Sequence, residues 1–168
     1  DPLRVIPSMM LGGAVTGAYD HIDIRGIGGQ SLREKWADGP QTFLGLTVSG
    51  FPNMFMLAGP QSASLSTNFP RGIETVVDWA SGLFEHAVQH GIHRIEPTPE
   101  AQAEWTAHVK EMYQGLLLRK AKSWFTGYNS NVEGHDKIRY MIYYGGAPRY
   151  RQRLAEVAQQ GYAGFRLG

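Results

Sequence analysis

The sequence predicts an α/β domain. Residues 50–74, GFPNMFMLAGPQSASLSTNFPRGIE, run from an apolar strand-like stretch through a Gly-Pro turn and a small polar loop into a helix start. Residues 73–90 then repeat apolar side chains at helical spacing, and short apolar runs that suit strands lie on both sides. In an α/β fold that order sets loop backbone and a helix N-terminus at the carboxyl edge of a sheet, where ligands bind.

Composition agrees with a folded globular chain. Of 168 residues, 42% are hydrophobic and 18% charged, enough to bury a core within one domain or part of one. The 21 glycines suit many tight turns. A net charge of +1 leaves no electrostatic footprint for nucleic acid. The absence of cysteine excludes disulfides, thiolate metal sites and a Cys nucleophile. No apolar run reaches membrane-spanning length, so no membrane partner and a cytoplasmic location are expected. The chain opens on Asp1 rather than Met, which fits a fragment, a processed product or a partial gene model.

The elements follow in order. In residues 1–18 the run Met9-Met10-Leu11 suits part of a buried strand ended by Gly12-Gly13. Residues 21–25 alternate apolar and polar, as a short half-exposed strand does. Ser31 is placed to cap a short helix over 31–37, and Asp38-Gly39-Pro40 signals a turn. Residues 43–48 and 53–58 read as two strands, the second apolar enough to be covered on both faces. The helix predicted over 73–90 places Ile73, Val76, Val77, Ala80, Leu83, Phe84, Ala87 and Val88 toward the core, with Gly91 at its C-terminal cap. Residues 93–96 read as extended. Thr98-Pro99-Glu100 reads as a helix start, with the helix running to about Ala121. Residues 124–137 are a polar Gly- and Asn-rich loop, 140–144 a strand, and 150–160 a final helix ended by Gly161.

Two stretches are candidates for chemistry. In the first, Ser62, Ser64, Ser66 and Thr67 offer hydrogen bonds, Leu65 and Phe69 an apolar wall, and the following helix its positive end. Such a layout suits a polar ring edge or an electron-rich carbonyl, and an ordinary capped loop explains the same residues equally well. It is neither a P-loop nor a nucleophile elbow. In the second stretch, Trp124, Tyr128, Asn129 and Asn131 occupy a loop too polar to be core. Trp124 suits a clamp over a planar group, although anchoring the loop to the core is the better reading from residue type alone. His86 and His90 share a helix face but lack the neighbouring Glu of the zinc-protease motif, so no metal is expected. Gly26-Ile27-Gly28-Gly29 is not a dinucleotide fingerprint, because the third glycine would fall on Ser31.

Read in order, a series of short motifs converges on one family. They are Ala14-Val15-Thr16-Gly17-Ala18, Ile22-Asp23-Ile24-Arg25-Gly26, Trp36-Ala37-Asp38-Gly39-Pro40, Gly50-Phe51-Pro52-Asn53-Met54-Phe55, Gly59-Pro60, Ile95-Glu96-Pro97-Thr98, Glu104-Trp105, Ser123-Trp124 with Gly127 and Asn129, and Tyr144-Gly145-Gly146. The series resembles the carboxyl-terminal third of flavin-dependent Baeyer–Villiger monooxygenases, the cyclohexanone and phenylacetone monooxygenase group. It extends from Ala14 to Phe165.

The resemblance implies the carboxyl-terminal part of a FAD- and NAD(P)-binding three-layer Rossmann-like fold, incomplete on its own, with residues 1–168 as a single partial domain. It implies FAD and NADPH as cofactors, and oxidation of a small-molecule ketone by O2 to an ester or lactone through a peroxyflavin. Ser64, Leu65, Ser66 and Phe69 would then line the substrate pocket. Thr67, Asn68 and Phe69 would face the flavin, while Trp124 and Asn129 would belong to a loop folding over NADP. The chain departs from the family pattern in residues 1–13, an atypical start, and in lacking both Gly-rich fingerprints. It also lacks the Phe-x-Gly-x-x-x-His signature and the upstream catalytic Arg, a place Arg71 does not fill. Gly134-His135 replaces the usual Gly-Lys. No catalytic residue is therefore assigned, and the chain is expected to be inactive without an amino-terminal flavoprotein portion. The alternatives are a non-catalytic subunit or interaction domain completing a split flavoprotein, or a related flavin monooxygenase acting on nitrogen or sulfur.

Overall fold

Helix start and stop signals set the frame of the computed structural model, which describes residues 4–6, 22–63, 66–117, 126, 128 and 138–168. Helix α1 (Leu32–Lys35) is a single turn with a complete capping box: Ser31 accepts from the Glu34 amide and Glu34 reaches back to the Ser31 amide. Helix α2 (Phe69–Gln89) starts four residues before the predicted Ile73, because Asn68 caps it and Pro70 fits its first turn. Its buried stripe is Val76, Ala80, Leu83 and Ala87. Val77 and Val88, placed on the core face by the sequence pattern, lie beside that stripe and are 38% and 77% exposed. Gly91 follows the helix at φ 64°, the left-handed geometry that ends helices.

Helix α3 (Pro99–Met112) begins as predicted, with the Thr98 hydroxyl accepting from the Ala101 amide. It stops well short of Ala121 and tightens into one 3₁₀ turn, Tyr113–Gly115. The Tyr113 side chain is fully buried there and accepts a hydrogen bond from the Ile142 amide, while Gly115 weakens any continuation. Helix α4 (Ala147–Gln159) starts three residues before the predicted Tyr150, with Pro148 in its first turn.

The strands are shorter than the sequence suggests. Strand β2 (Met54–Met56) is buried throughout and pairs in parallel with β1 (Arg4–Ile6). Asn53 is not part of it. At φ 58° it is a turn residue whose side chain accepts from the Ile95 amide and donates to the His93 carbonyl. Strand β3 (Ile95–Pro97) pairs antiparallel with β4 (Phe165–Leu167), an element the sequence reading does not contain.

Other predicted strands are corrected. Residues 43–48 form a tight turn in which Phe43 bridges Thr47 and Leu44 and Gly45 take φ of 59° and 72°. A Cβ on Gly45 would lie 2.4 Å from the Ser62 nitrogen, so glycine lets this turn pack against the loop after β2. Residues 22–25 join no strand beyond an isolated Arg25–Ser31 bridge, and His21 and Met9-Met10-Leu11 lie outside the described residues. Residues 140–144 lie in no strand. Instead Met141 and Tyr143 exchange backbone hydrogen bonds with Gln61 and Ser62.

The largest core cluster joins Leu44, Leu46, Val76, Trp105, Val109 and Tyr143 with helix α4 residues such as Leu154, behind the 61–69 loop. No helix among the described residues is long and apolar enough to cross a membrane.

Candidate functional site

The loop between β2 and α2 is built on Gln61. Its side chain is fully buried and every polar atom is used. The Gln61 Nε2 donates to the Pro40 carbonyl at 2.8 Å, and its Oε1 accepts from the Thr42 amide at 3.1 Å and the Thr42 hydroxyl at 2.9 Å. Its own amide donates to the Met141 carbonyl at 2.6 Å. One neutral side chain at φ 66° thus ties the loop's first residue to segments before and far after it in the chain.

The loop then runs alongside residues 141–143. The Tyr143 amide donates to the Ser62 carbonyl at 3.2 Å, and the Ser66 hydroxyl lies 2.7 Å from the Tyr143 carbonyl. Ala63 is buried, Ser66 and Thr67 are half-buried, and Asn68 is exposed at the cap of α2, where its side chain accepts from the Arg71 amide. Phe69, half-buried, opens the helix. Thr67 also lines a small cavity with Arg71, Thr75, Tyr150 and Arg151, where α2 and α4 begin.

Among the predicted site residues, the structure brings Ser66, Thr67, Asn68 and Phe69 together at the start of α2. Ser64, Leu65, Trp124 and Asn129 lie outside the described residues, as does most of the 124–137 loop. The sequence reading missed Gln61 and Tyr143. Nothing local marks them, because their partners are distant in the chain.

The titratable groups nearby are structural. Burial pushes the Tyr150 phenol far above its ordinary range, and it donates to the Leu44 carbonyl at 2.7 Å. Burial likewise raises Tyr113 and Tyr143, with the charge of Arg149 opposing the shift at Tyr143. His86 and His90 stack at 4.1 Å between ring centres, and His86 also packs on Tyr162. Among the described residues no group of three His, Asp or Glu side chains is placed to hold a metal ion.

Among the described residues the loop can therefore orient a polar group by the Thr67 hydroxyl and the N-terminus of α2, with small side chains allowing close approach. The donor set fits the ring edge of a flavin. The sequence holds no Gly-rich fingerprint to fit its diphosphate.

No protein-family model matches the chain. It is 42% identical over 153 residues to a phenazine N-monooxygenase of Lysobacter antibioticus, covering 91% of this chain and 27% of that protein. It is 36% identical over 152 residues to a cyclohexanone 1,2-monooxygenase of Acinetobacter sp, covering 90% of this chain and 27% of that protein. The crystal structure of OTEMO in complex with FAD and NADP superposes with a TM-score of 0.83 at 35% identity, over 92% of this chain and 28% of that one. The fold is thus similar to a portion of FAD- and NADP-dependent monooxygenases with a Rossmann-like fold. Within that class, the chain is homologous to a segment of the Baeyer–Villiger monooxygenases. It spans about a quarter of the length of the curated relatives it matches.

Proposed function

We propose that this chain is the carboxyl-terminal, pocket-wall portion of an NADPH- and O2-dependent flavin monooxygenase that converts a ketone to an ester or lactone. The reaction balances as ketone, O2, NADPH and a proton giving ester, NADP+ and water. The observation that carries the reading is the 59–69 loop, locked by Gln61 and leading directly into the capped N-terminus of α2. Homology to ketone monooxygenases and the fit to a FAD- and NADP-containing structure support it.

Bound FAD would supply oxygen activation, with NADPH as the electron source. The chain's own residues bind and orient. Ser64, Leu65, Ser66 and Phe69 would supply the wall against the ketone. Thr67, Asn68 and Phe69 would hold the flavin near the positive end of α2, and Trp124 and Asn129 would bind NADP. Residues 1–168 are one partial domain. Without a Gly-rich phosphate cradle or a charge partner for activated oxygen, they are inactive alone. A cytoplasmic location of the whole protein belongs to the same reading.

A second reading is favoured by the 42% identity to a phenazine N-monooxygenase: oxygen transfer to an aromatic nitrogen. One experiment separates the two. The full-length protein carrying this segment is purified and given NADPH with either a cyclic ketone or an aromatic N-heterocycle. Lactone from the ketone supports the first reading, and N-oxide alone replaces it with the second. Flavin retention and lactone formation by the 168-residue chain alone would overturn the claim that it is inactive.

A further inference from the structure

The family resemblance implies a pocket-wall role for Ser66, but its geometry gives its hydroxyl a different task. The Ser66 Oγ lies 2.7 Å from the Tyr143 carbonyl and 3.1 Å from the Ala63 carbonyl, and both are acceptors. A serine has one hydroxyl proton, and the shorter contact takes it. The donor that would address a carbonyl substrate is already spent inside the protein.

That bond completes a lace between two segments. The Gln61 amide donates to the Met141 carbonyl at 2.6 Å, and the Tyr143 amide donates to the Ser62 carbonyl at 3.2 Å. Ser66 adds a third tie, made through its side chain. Residues 61–66 precede α2, whose N-terminus bounds the loop. Residues 138–146 leave the polar stretch that carries Trp124 and lead into α4. Further ties hold 138–146 from the other side: Tyr113 accepts from the Ile142 amide, and the Arg139 amide donates to the Thr126 carbonyl.

We propose that Ser66 is a positioning residue that holds residues 138–146 against the loop, so that the wall before α2 and the chain leaving the 124–137 loop move as one body. The inference rests on the pocket-wall reading above. Cutting the tie leaves the two backbone bonds between the segments but loosens their pairing at the Ser66 end. In an oxygen-transferring enzyme that slack appears as reducing equivalents consumed without product, because the wall no longer holds the acceptor where oxygen is delivered.

The test uses the full-length protein and its Ser66→Ala, Ser66→Cys and Ser66→Thr variants, with two readouts. Amide hydrogen exchange is followed over residues 138–146 and, as a control, over α2 and α4. Product formed per NADPH oxidised is measured with a cyclic ketone and with an aromatic N-heterocycle. S66A is expected to speed exchange across 138–146 by about tenfold, leave the helices unchanged, and lower product per NADPH severalfold. S66T, which keeps the hydroxyl, is expected to retain wild-type values. S66C, a weaker donor of similar size, falls between and serves if S66A does not fold. Unchanged exchange over 138–146, or acceleration spread evenly over the helices, would overturn the proposal. Local acceleration with neither substrate oxygenated would leave the tie standing and remove the oxygen-transfer reading instead.

Discussion

The two ends of the segment that leads into α2 are held in opposite ways. At its entry, around Ser49–Asn53, backbone groups are gripped by buried side chains from elsewhere. Gln102 accepts from the Ser49 amide at 2.7 Å, Glu96 accepts from the Gly50 amide at 2.8 Å, and Asn53 bonds both ways to the β3 region. Glu96 is 4% exposed and is paired through its other oxygen with Arg94 at 2.6 Å. At the exit, Ser66 makes its one long-range tie, Thr67 and Asn68 stand at the edge of the fold, and the cap on α2 is local. The entry is fixed from several directions and works as scaffold. The exit keeps its polar groups near the surface, where a ligand can use them. Damage at the entry should cost folding, whereas damage at the exit should cost function first.

Alkali breaks the shared shell behind both ends and gives the largest effect. Tyr113 and Tyr150 hold the Ile142 and Leu44 segments, and burial raises both phenols above the ordinary tyrosine value of about 10. Below that pH both states are protonated and the shift contributes nothing. Above it the unfolded chain loses protons that the folded chain keeps, so stability falls as pH rises. The slope is about 1.4 kcal/mol per pH unit for each tyrosine. Urea midpoints measured from pH 8 to 12 should stay level to about pH 10 and then drop steeply, with tyrosinate absorbance appearing together with unfolding.

Gly45→Ala attacks the packing of the 43–47 turn on the loop. Its new Cβ would sit 2.4 Å from the Ser62 nitrogen at a positive φ, so a loss of about 3 kcal/mol or more is expected in a denaturant melt. Glu96→Ala strips the Gly50 amide of its acceptor and Arg94 of its partner, for an expected loss of about 2 kcal/mol. Arg94 is half-exposed and can turn to water, which keeps the cost below that of a fully buried pair. Glu96→Gln keeps an acceptor and should lose less. Asn68→Ala removes only the α2 cap, about 1 kcal/mol by thermal melting. It should weaken flavin retention in the full-length protein more than Glu96→Gln does. An Asn68→Ala variant with unchanged flavin content would blur the distinction between the two ends. The exposed Arg25–Asp23 pair sits in neither end, and Arg25→Ala should leave the melt unchanged.

The helices were legible because their signals are local. Thr98-Pro99 and Gly91 mark ends by the chemistry of a few adjacent residues. The strands were not, since three-residue elements such as Ile95–Pro97 and Phe165–Leu167 are too short to show alternation. Residues 43–48 carry a strand-like composition yet form a turn, because two consecutive positive φ values at Leu44 and Gly45 fold the apolar side chains inward. The same divide runs through the site. Asn68 and the polar loop can be read from neighbours in sequence, whereas Gln61 to Pro40 and Ser66 to Tyr143 join residues 21 and 77 positions apart. Those bonds are created by tertiary packing and leave no local pattern.

On the proposed reading, this segment forms a wall against which a flavin monooxygenase delivers one oxygen atom to a ketone. Heavy-isotope dioxygen tests it most directly: the full-length protein is turned over with NADPH and a cyclic ketone, and the product is analysed by mass spectrometry. The account predicts a lactone carrying a single labelled oxygen, formed with matching NADPH consumption. Unlabelled product, or NADPH consumed with no labelled lactone, would contradict it, and a labelled N-oxide from the heterocycle control alone would replace it with nitrogen oxidation.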